Sequence, residues 1–134
     1  MPMKIDRINP AALAPPGRYC HVAVVTAGRQ VHISGQIALD AMGQVVGEGD
    51  LSAQAEQVFA NLAAGLAAAG ADFSKVFKTV SYVVGLTPEK AAAIHKVRVK
   101  YLGEGPYPAS TMVGVTALVD PRLLLEIELI AALD

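Results

Sequence analysis

The chain has 134 residues, a formal net charge of −1 and 53% hydrophobic residues. That length corresponds to one domain with room for a sizeable core, so residues 1–134 read as a single domain. No apolar run reaches the roughly 20 residues that span a bilayer, and the charge balance lacks the basic stripe of a nucleic-acid reader, so neither a membrane nor a nucleic acid is expected as a partner.

In chain order, the opening Met1-Pro2-Met3-Lys4-Ile5-Asp6-Arg7 has no apolar signal core and predicts no secretory leader. Ile5–Ile8 reads as a short strand, followed by a loop punctuated by Pro10, Pro15, Pro16 and Gly17. The single cysteine, Cys20, cannot form an internal disulfide and suits a reducing, cytoplasmic setting. His21–Val25 and Val31–Ser34 read as strands on either side of the turn Ala27-Gly28-Arg29, and Ala41-Met42-Gly43-Gln44 is a second turn. Gly43, Gly47 and Gly49 lack phosphate-loop or dinucleotide spacing and read as turn residues. Leu51, Ala55, Val58, Phe59, Leu62 and Leu66 then fall on one face of a helix bounded by Asp50 as N-cap and Gly70 as stop. Val76–Val84, rich in β-branched and aromatic residues, is a strand. Thr87-Pro88-Glu89 opens a second helix, with Ala91, Ile94, Val97 and Tyr101 on one stripe and Gly103 at its end. Thr111–Leu118 and Leu123–Ala131 are strands around Asp120-Pro121.

Strands, helix, strand, helix, strands make an α+β fold in which two amphipathic helices cover one face of a sheet. In the last strand Leu123, Leu125, Ile127 and Leu129 alternate with Leu124, Glu126, Glu128 and Ile130. The helices cover only one of these faces, and the other needs a different cover. Charged residues are 17% of the chain, against roughly 25% in ordinary soluble domains. A monomer of this mass would spread them over roughly 6,700 Å². Both observations predict a homo-oligomer.

Glu126 and Glu128 are two apart on a strand and share a face with Leu124 and Ile130. Acids on such a face either serve proton transfer or sit solvated at a rim. His95 and Arg98 lie one turn apart on the second helix and either hold an anion together or form an ordinary solvated helix face. His21 and His32 have no Cys, His or Asp at ligand spacing, so no metal site is predicted. Cys20 and His21 point to opposite faces of a strand, which does not suit a nucleophilic pair. The glycine in Ser34-Gly35-Gln36 marks either a close approach of a ligand or another backbone, or a β-bulge.

From Pro15 onward the chain resembles the RidA/YjgF family of enamine/imine deaminases. The resemblance rests on Tyr19 after a Pro-Gly loop, Ile33-Ser34-Gly35-Gln36, Gln54 and Asn61 in the long helix, Lys78-Thr79-Val80, Tyr107-Pro108-Ala109, and Glu126-Ile127-Glu128 with Ile130-Ala131. It implies a chorismate-mutase-like fold, a mixed sheet with both helices on one face. It also implies a homotrimer with small-molecule clefts between subunits, and hydrolysis of 2-imino acids without metal or organic cofactor. By this resemblance Tyr19, Ser34 and Gly35 line the cleft, Glu126 handles the attacking water, and His95 replaces a common asparagine. Ser110 and Met112 stand where the family carries an arginine and a common cysteine. A guanidinium gives a carboxylate two charge-assisted bonds and a hydroxyl gives one neutral bond. The exchange predicts weak turnover of ordinary 2-imino acids unless Arg18 or Arg98 reaches the cleft. Two readings follow: a divergent deaminase or hydrolase of imines or related carbonyl compounds, and a non-catalytic small-molecule binding trimer.

Overall fold

The apolar stripe of residues 51–66 organises the fold. In a computed structural model that describes residues 2–134, this stripe lies on α1 (Leu51–Ala68), with Ala55, Val58, Phe59, Leu62 and Leu66 buried. Met1, the first residue of the segment read as leaderless, lies outside the described residues. Asp50 caps the helix by accepting the Ala53 N–H at 3.1 Å. At the other end Gly70 adopts a φ of 77°, a conformation that costs glycine little. The second helix, α2 (Pro88–Leu102), starts as expected: Thr87 Oγ1 accepts the Lys90 N–H at 3.2 Å, with proline in the first turn.

The strands are β1 (Lys4–Ile8), β2 (Val22–Thr26), β3 (Arg29–Gln36), β4 (Val76–Val84), β5 (Ala109–Val115) and β6 (Leu125–Leu133), with a 3₁₀ turn at Phe73–Lys75. β2 and β3 flank the expected turn but do not pair with each other. β2 pairs with β1 in a two-stranded ribbon, while β3 joins a four-stranded sheet ordered β3-β6-β4-β5. β6 is antiparallel to β3 and β4, and β4 is parallel to β5, so the sheet is mixed. A parallel pair requires a crossover, and α2 provides it. The last strand begins at Leu125 rather than Leu123, because residues 120–123 are held in a turn by the Leu123 N–H to Asp120 O bond at 3.0 Å.

Strand alternation decides which face the helices cover. Leu125, Ile127, Leu129 and Ala131 of β6 are buried with α1 and with Ile94 and Val97 of α2 in one core. Each leucine or isoleucine fully removed from water here contributes roughly 1.5–3 kcal/mol. The opposite face carries Glu126, Glu128 and Ile130 of β6, Lys78, Val80 and Tyr82 of β4, and His32 and Ser34 of β3, all half-buried or exposed.

One polar side chain ties this core to its loops. Gln54 of α1 is fully buried. Its amide nitrogen donates to Gly47 O at 3.1 Å and Arg122 O at 2.8 Å, and its oxygen accepts the Leu124 N–H at 2.8 Å. Asn61, two turns later, donates to Ile37 O at 3.0 Å and Leu39 O at 2.9 Å. Replacing Gln54 by leucine keeps the volume but strands three backbone groups, each costing about 1–3 kcal/mol when buried. Gln54→Leu is therefore expected to lower stability by about 3 kcal/mol or more, read as a drop in the urea midpoint at unchanged slope. An unchanged midpoint would show that these groups find other partners.

Candidate functional site

The helix-free face of the sheet holds a polar group built by cross-strand register. Tyr82 lies opposite Glu126 and Val80 opposite Glu128, so all four point the same way. The Tyr82 hydroxyl donates to Glu128 Oε1 at 2.6 Å, and this bond pushes the phenol pKa above its ordinary value. Glu128 is thus engaged. Among the described residues no cation lies within ion-pair distance of Glu126.

Glu126 meets Gly35 instead. A Cβ on Gly35 would fall 2.0 Å from Glu126 Oε2 and 2.7 Å from its Cδ. The β3–β6 register also slips between Ile33 and Gln36. Gly35 therefore sits at a bulge, the second of its two sequence readings, and what takes the place of its missing side chain is the Glu126 carboxylate. Ser34, next to it, is exposed on the Glu126 face.

Tyr19 and His95 meet elsewhere, in a cleft of about 660 Å³ between the loop before β2 and α2. Arg18, Lys96 and Val99 also line it. The loop is tied by the Cys20 N–H to Pro108 O bond at 3.0 Å to the segment before β5, which Arg7 of β1 also holds, its Nε donating to Tyr107 O at 3.0 Å. The Tyr19 ring stands edge-on to His21 at 5.2 Å, and His21 Nε2 lies 2.6 Å from Ala14 O.

The solvated-face reading of His95 and Arg98 is corrected here. Arg98 is only 7% exposed, because α2 turns it onto the sheet beside Ile94. His95 Nδ1 and Arg98 Nη2 are buried without hydrogen-bond partners among the described residues. Further along α2, Lys100 pairs with Glu56, while Arg98 is internal.

Ser110 and Met112 lie on the helix side of β5, in register with Thr79 and Ser81. The Ser110 hydroxyl accepts a bond from Thr79 Oγ1 at 2.8 Å, and Met112 packs against the core. Within one chain the expected site residues therefore form three groups: Tyr19 with His95, Gly35 and Ser34 with Glu126, and Ser110 with Met112.

Residues 9–133 match the protein family Endoribonuclease L-PSP. The chain belongs to that family. A Yersinia pestis protein of unknown function of the conserved Rid family, YyfB, has the same fold with a TM-score of 0.88 and 40% identity, covering 99% of this chain and 100% of that one. The RutC family protein slr0709 of Synechocystis is 35% identical, covering 99% of this chain and 98% of its own. A 2-iminobutanoate/2-iminopropanoate deaminase of Dermatophagoides farinae is 30% identical, covering 98% of this chain and 100% of its own. The expected α+β chorismate-mutase-like fold of the Rid proteins is the fold found.

Two features of this Rid-family chain escaped the sequence reading. The Tyr82–Glu128 bond depends on a pairing between strands more than 40 residues apart. The burial of Arg98 breaks the rule that charges face solvent. Its one signal was position: Arg98 follows Val97 and Ile94 on the apolar stripe of α2.

His95 gives this site an acid sensitivity. Burial lowers its pKa from the ordinary 6.5, and the charges of Arg98 and Arg18 lower it further. The folded chain therefore binds this proton less readily than the unfolded one. The stabilising contribution is complete above about pH 6.5 and is lost as pH falls through the folded-state value. Urea midpoints measured at about pH 7.5 and about pH 5 should fall for the wild type and fall less for His95→Asn. Parallel declines would place the acid sensitivity on other groups.

Proposed function

We propose that this Rid-family chain hydrolyses small imines or related carbonyl compounds, in clefts completed by neighbouring copies within a homotrimer. The observation that carries the reading is the Glu126 carboxylate seated over Gly35, with no cation within ion-pair distance among the described residues. A carboxylate left without a counter-ion is available to move protons.

The chemistry balances with water alone. Glu126 takes a proton from water as the oxygen adds to the imine carbon. It returns that proton to nitrogen to give a carbinolamine, then carries the carbinolamine's hydroxyl proton to nitrogen as the C–N bond breaks, leaving a carbonyl and ammonia. The Dermatophagoides relative, a 2-iminobutanoate/2-iminopropanoate deaminase, is named for a reaction of this kind. Tyr19, His95, Ser110 and Met112 act as binding residues in this reading, with Ser34 and Gly35 beside the acid.

The oligomer is supported by surface physics. The single chain exposes 7221 Å², above the roughly 6,700 Å² typical of a monomer of this mass. Its helix-free sheet face is unpartnered within the chain, with Val113 of β5 39% exposed. A neighbour that covers this face would also bring Glu126 towards a cleft that, within one chain, lies on the other side of the sheet. Cys20, free and buried, fits a reducing cytoplasm.

A second reading is a non-catalytic binding trimer. It is favoured by the Tyr19–His95 cleft, which forms without any contribution from Glu126.

Freshly generated 2-iminobutanoate separates the two. Glu126→Gln should lower turnover by about 10²–10⁴-fold, the usual worth of a positioned acid–base group, while leaving affinity for 2-oxobutanoate in place. Gly35→Ala should also lose activity by pushing the carboxylate aside, with a small change in stability. A wild-type rate equal to that of buffer would sink the hydrolase reading. Sedimentation equilibrium should give three chains per particle, and a monomer would contradict the assembly.

A further inference from the structure

His21 has no part in the proposed hydrolysis. β2 starts one residue after it, and its side chain is not among those lining the Tyr19–His95 cleft. Yet it meets the loop that forms one wall of that cleft at three points. Near the start of the loop, Asn9 Oδ1 accepts the His21 N–H at 2.8 Å. In the middle, His21 Nε2 lies 2.6 Å from Ala14 O. A carbonyl oxygen only accepts, so Nε2 carries a proton and donates it. At the cleft, the Tyr19 and His21 rings stand 5.2 Å apart at an interplanar angle of 82°, the edge-to-face arrangement that aromatic rings favour.

Little else gives this loop a shape. Pro10, Pro15 and Pro16 have no N–H to donate. Among the described residues, the one backbone–backbone bond made wholly within residues 10–19 is Leu13 N–H to Pro10 O at 3.0 Å. Residues 11–15, 17 and 18 are exposed, so no core fixes them. Cys20, bonded to Pro108 O, anchors the far end alone. Gly17, Arg18 and Tyr19, which line the cleft, therefore stand on a segment whose conformation runs through one imidazole.

We infer that His21 is a positioning residue for the cleft: it ties Asn9, Ala14 and Tyr19 together and holds Tyr19 in the cleft wall before a ligand arrives. The inference rests on the proposed cleft and adds a residue that touches no reacting atom. The gain is preorganisation. A wall already in its binding shape loses less freedom when the ligand enters. Where only a fraction of molecules holds that shape, the apparent affinity falls by that fraction.

Two readouts test it, one of them free of ligand. Trypsin cuts after Arg18 when the loop leaves its resting shape, and the rate follows the population that has done so. His21→Leu removes both the donor and the aromatic edge. It should be cut there at least about tenfold faster than the wild type, with a melting point within a few degrees of it. By calorimetry it should bind 2-oxobutanoate about tenfold more weakly, as when about one molecule in ten keeps the binding shape. In imine hydrolysis the loss should fall on KM and leave kcat close to that of the wild type. His21→Gln, whose side-chain N–H can reach Ala14 O, should recover part of both losses. His21→Phe, which keeps the ring and lacks the donor, should show part of them and serves if the leucine variant does not fold. Cutting no faster in His21→Leu would overturn the inference, as would faster cutting at unchanged affinity. A lower melting point with kcat reduced as much as kcat/KM, not reversed by His21→Gln, would make His21 a support of the fold and overturn it too. Wild-type binding matched by His21→Leu would remove this inference alone. No wild-type binding would remove the cleft reading and the role of His21 with it.

Discussion

The strict alternation of β6 governs this molecule. One strand, paired on both edges, sends Leu125, Ile127 and Leu129 into the helix layer and Glu126, Glu128 and Ile130 to the other side. A slip of one residue would exchange the two sets, burying carboxylates under α1 and exposing the largest apolar residues of the sheet. The register is therefore set by the core, and the position of Glu126 follows from it. The carboxylate over Gly35 is located by hydrophobic packing on the reverse side of its own strand.

The helices and the covered face were legible because they depend on local periodicity. Asp50, Gly70, Thr87 and Pro88 mark ends that the structure keeps to within about two residues, the usual uncertainty of helix boundaries. Strand partnership was less legible. A turn at Ala27-Gly28-Arg29 suggests a hairpin, yet β2 turns away to β1 because β3 is needed beside β6. Pairing between distant strands has no short-range signature, so the Tyr82–Glu128 contact could not be read either. Gly35 was legible as a bulge, because a glycine inside a strand pattern is a local signal, but the Glu126 side chain beside it was not. Arg98 gave a misleading one, because a charged residue on a helix is ordinarily solvated and only packing shows otherwise.

The two sides of the sheet handle polar groups differently. On the helix side the buried amides are fully used: Gln54 and Asn61 hold loop backbone that has no strand to pair with. Arg98 and His95 keep buried atoms unbonded among the same helices. A chain that satisfies Gln54 three times over is capable of satisfying polar groups, so the unbonded Nη2 of Arg98 stands out as a local cost.

The β5 edge has a consequence for the history of each molecule. Among the described residues β5 pairs with β4 on one side and, beyond a bridge from Ala109 to Cys20, with nothing on the other, and Ala109–Val115 contains no charged residue and no proline. The opposite edge, β3, carries Arg29, Gln30 and His32. Uncharged, unpaired strands recruit other strands without discrimination. A newly made chain thus has one guarded border and one adhesive border. Its solubility during synthesis is most at risk where β5 edges meet before the chains are compact, so crowding of chains and slow folding are the conditions in which this protein is most prone to aggregate.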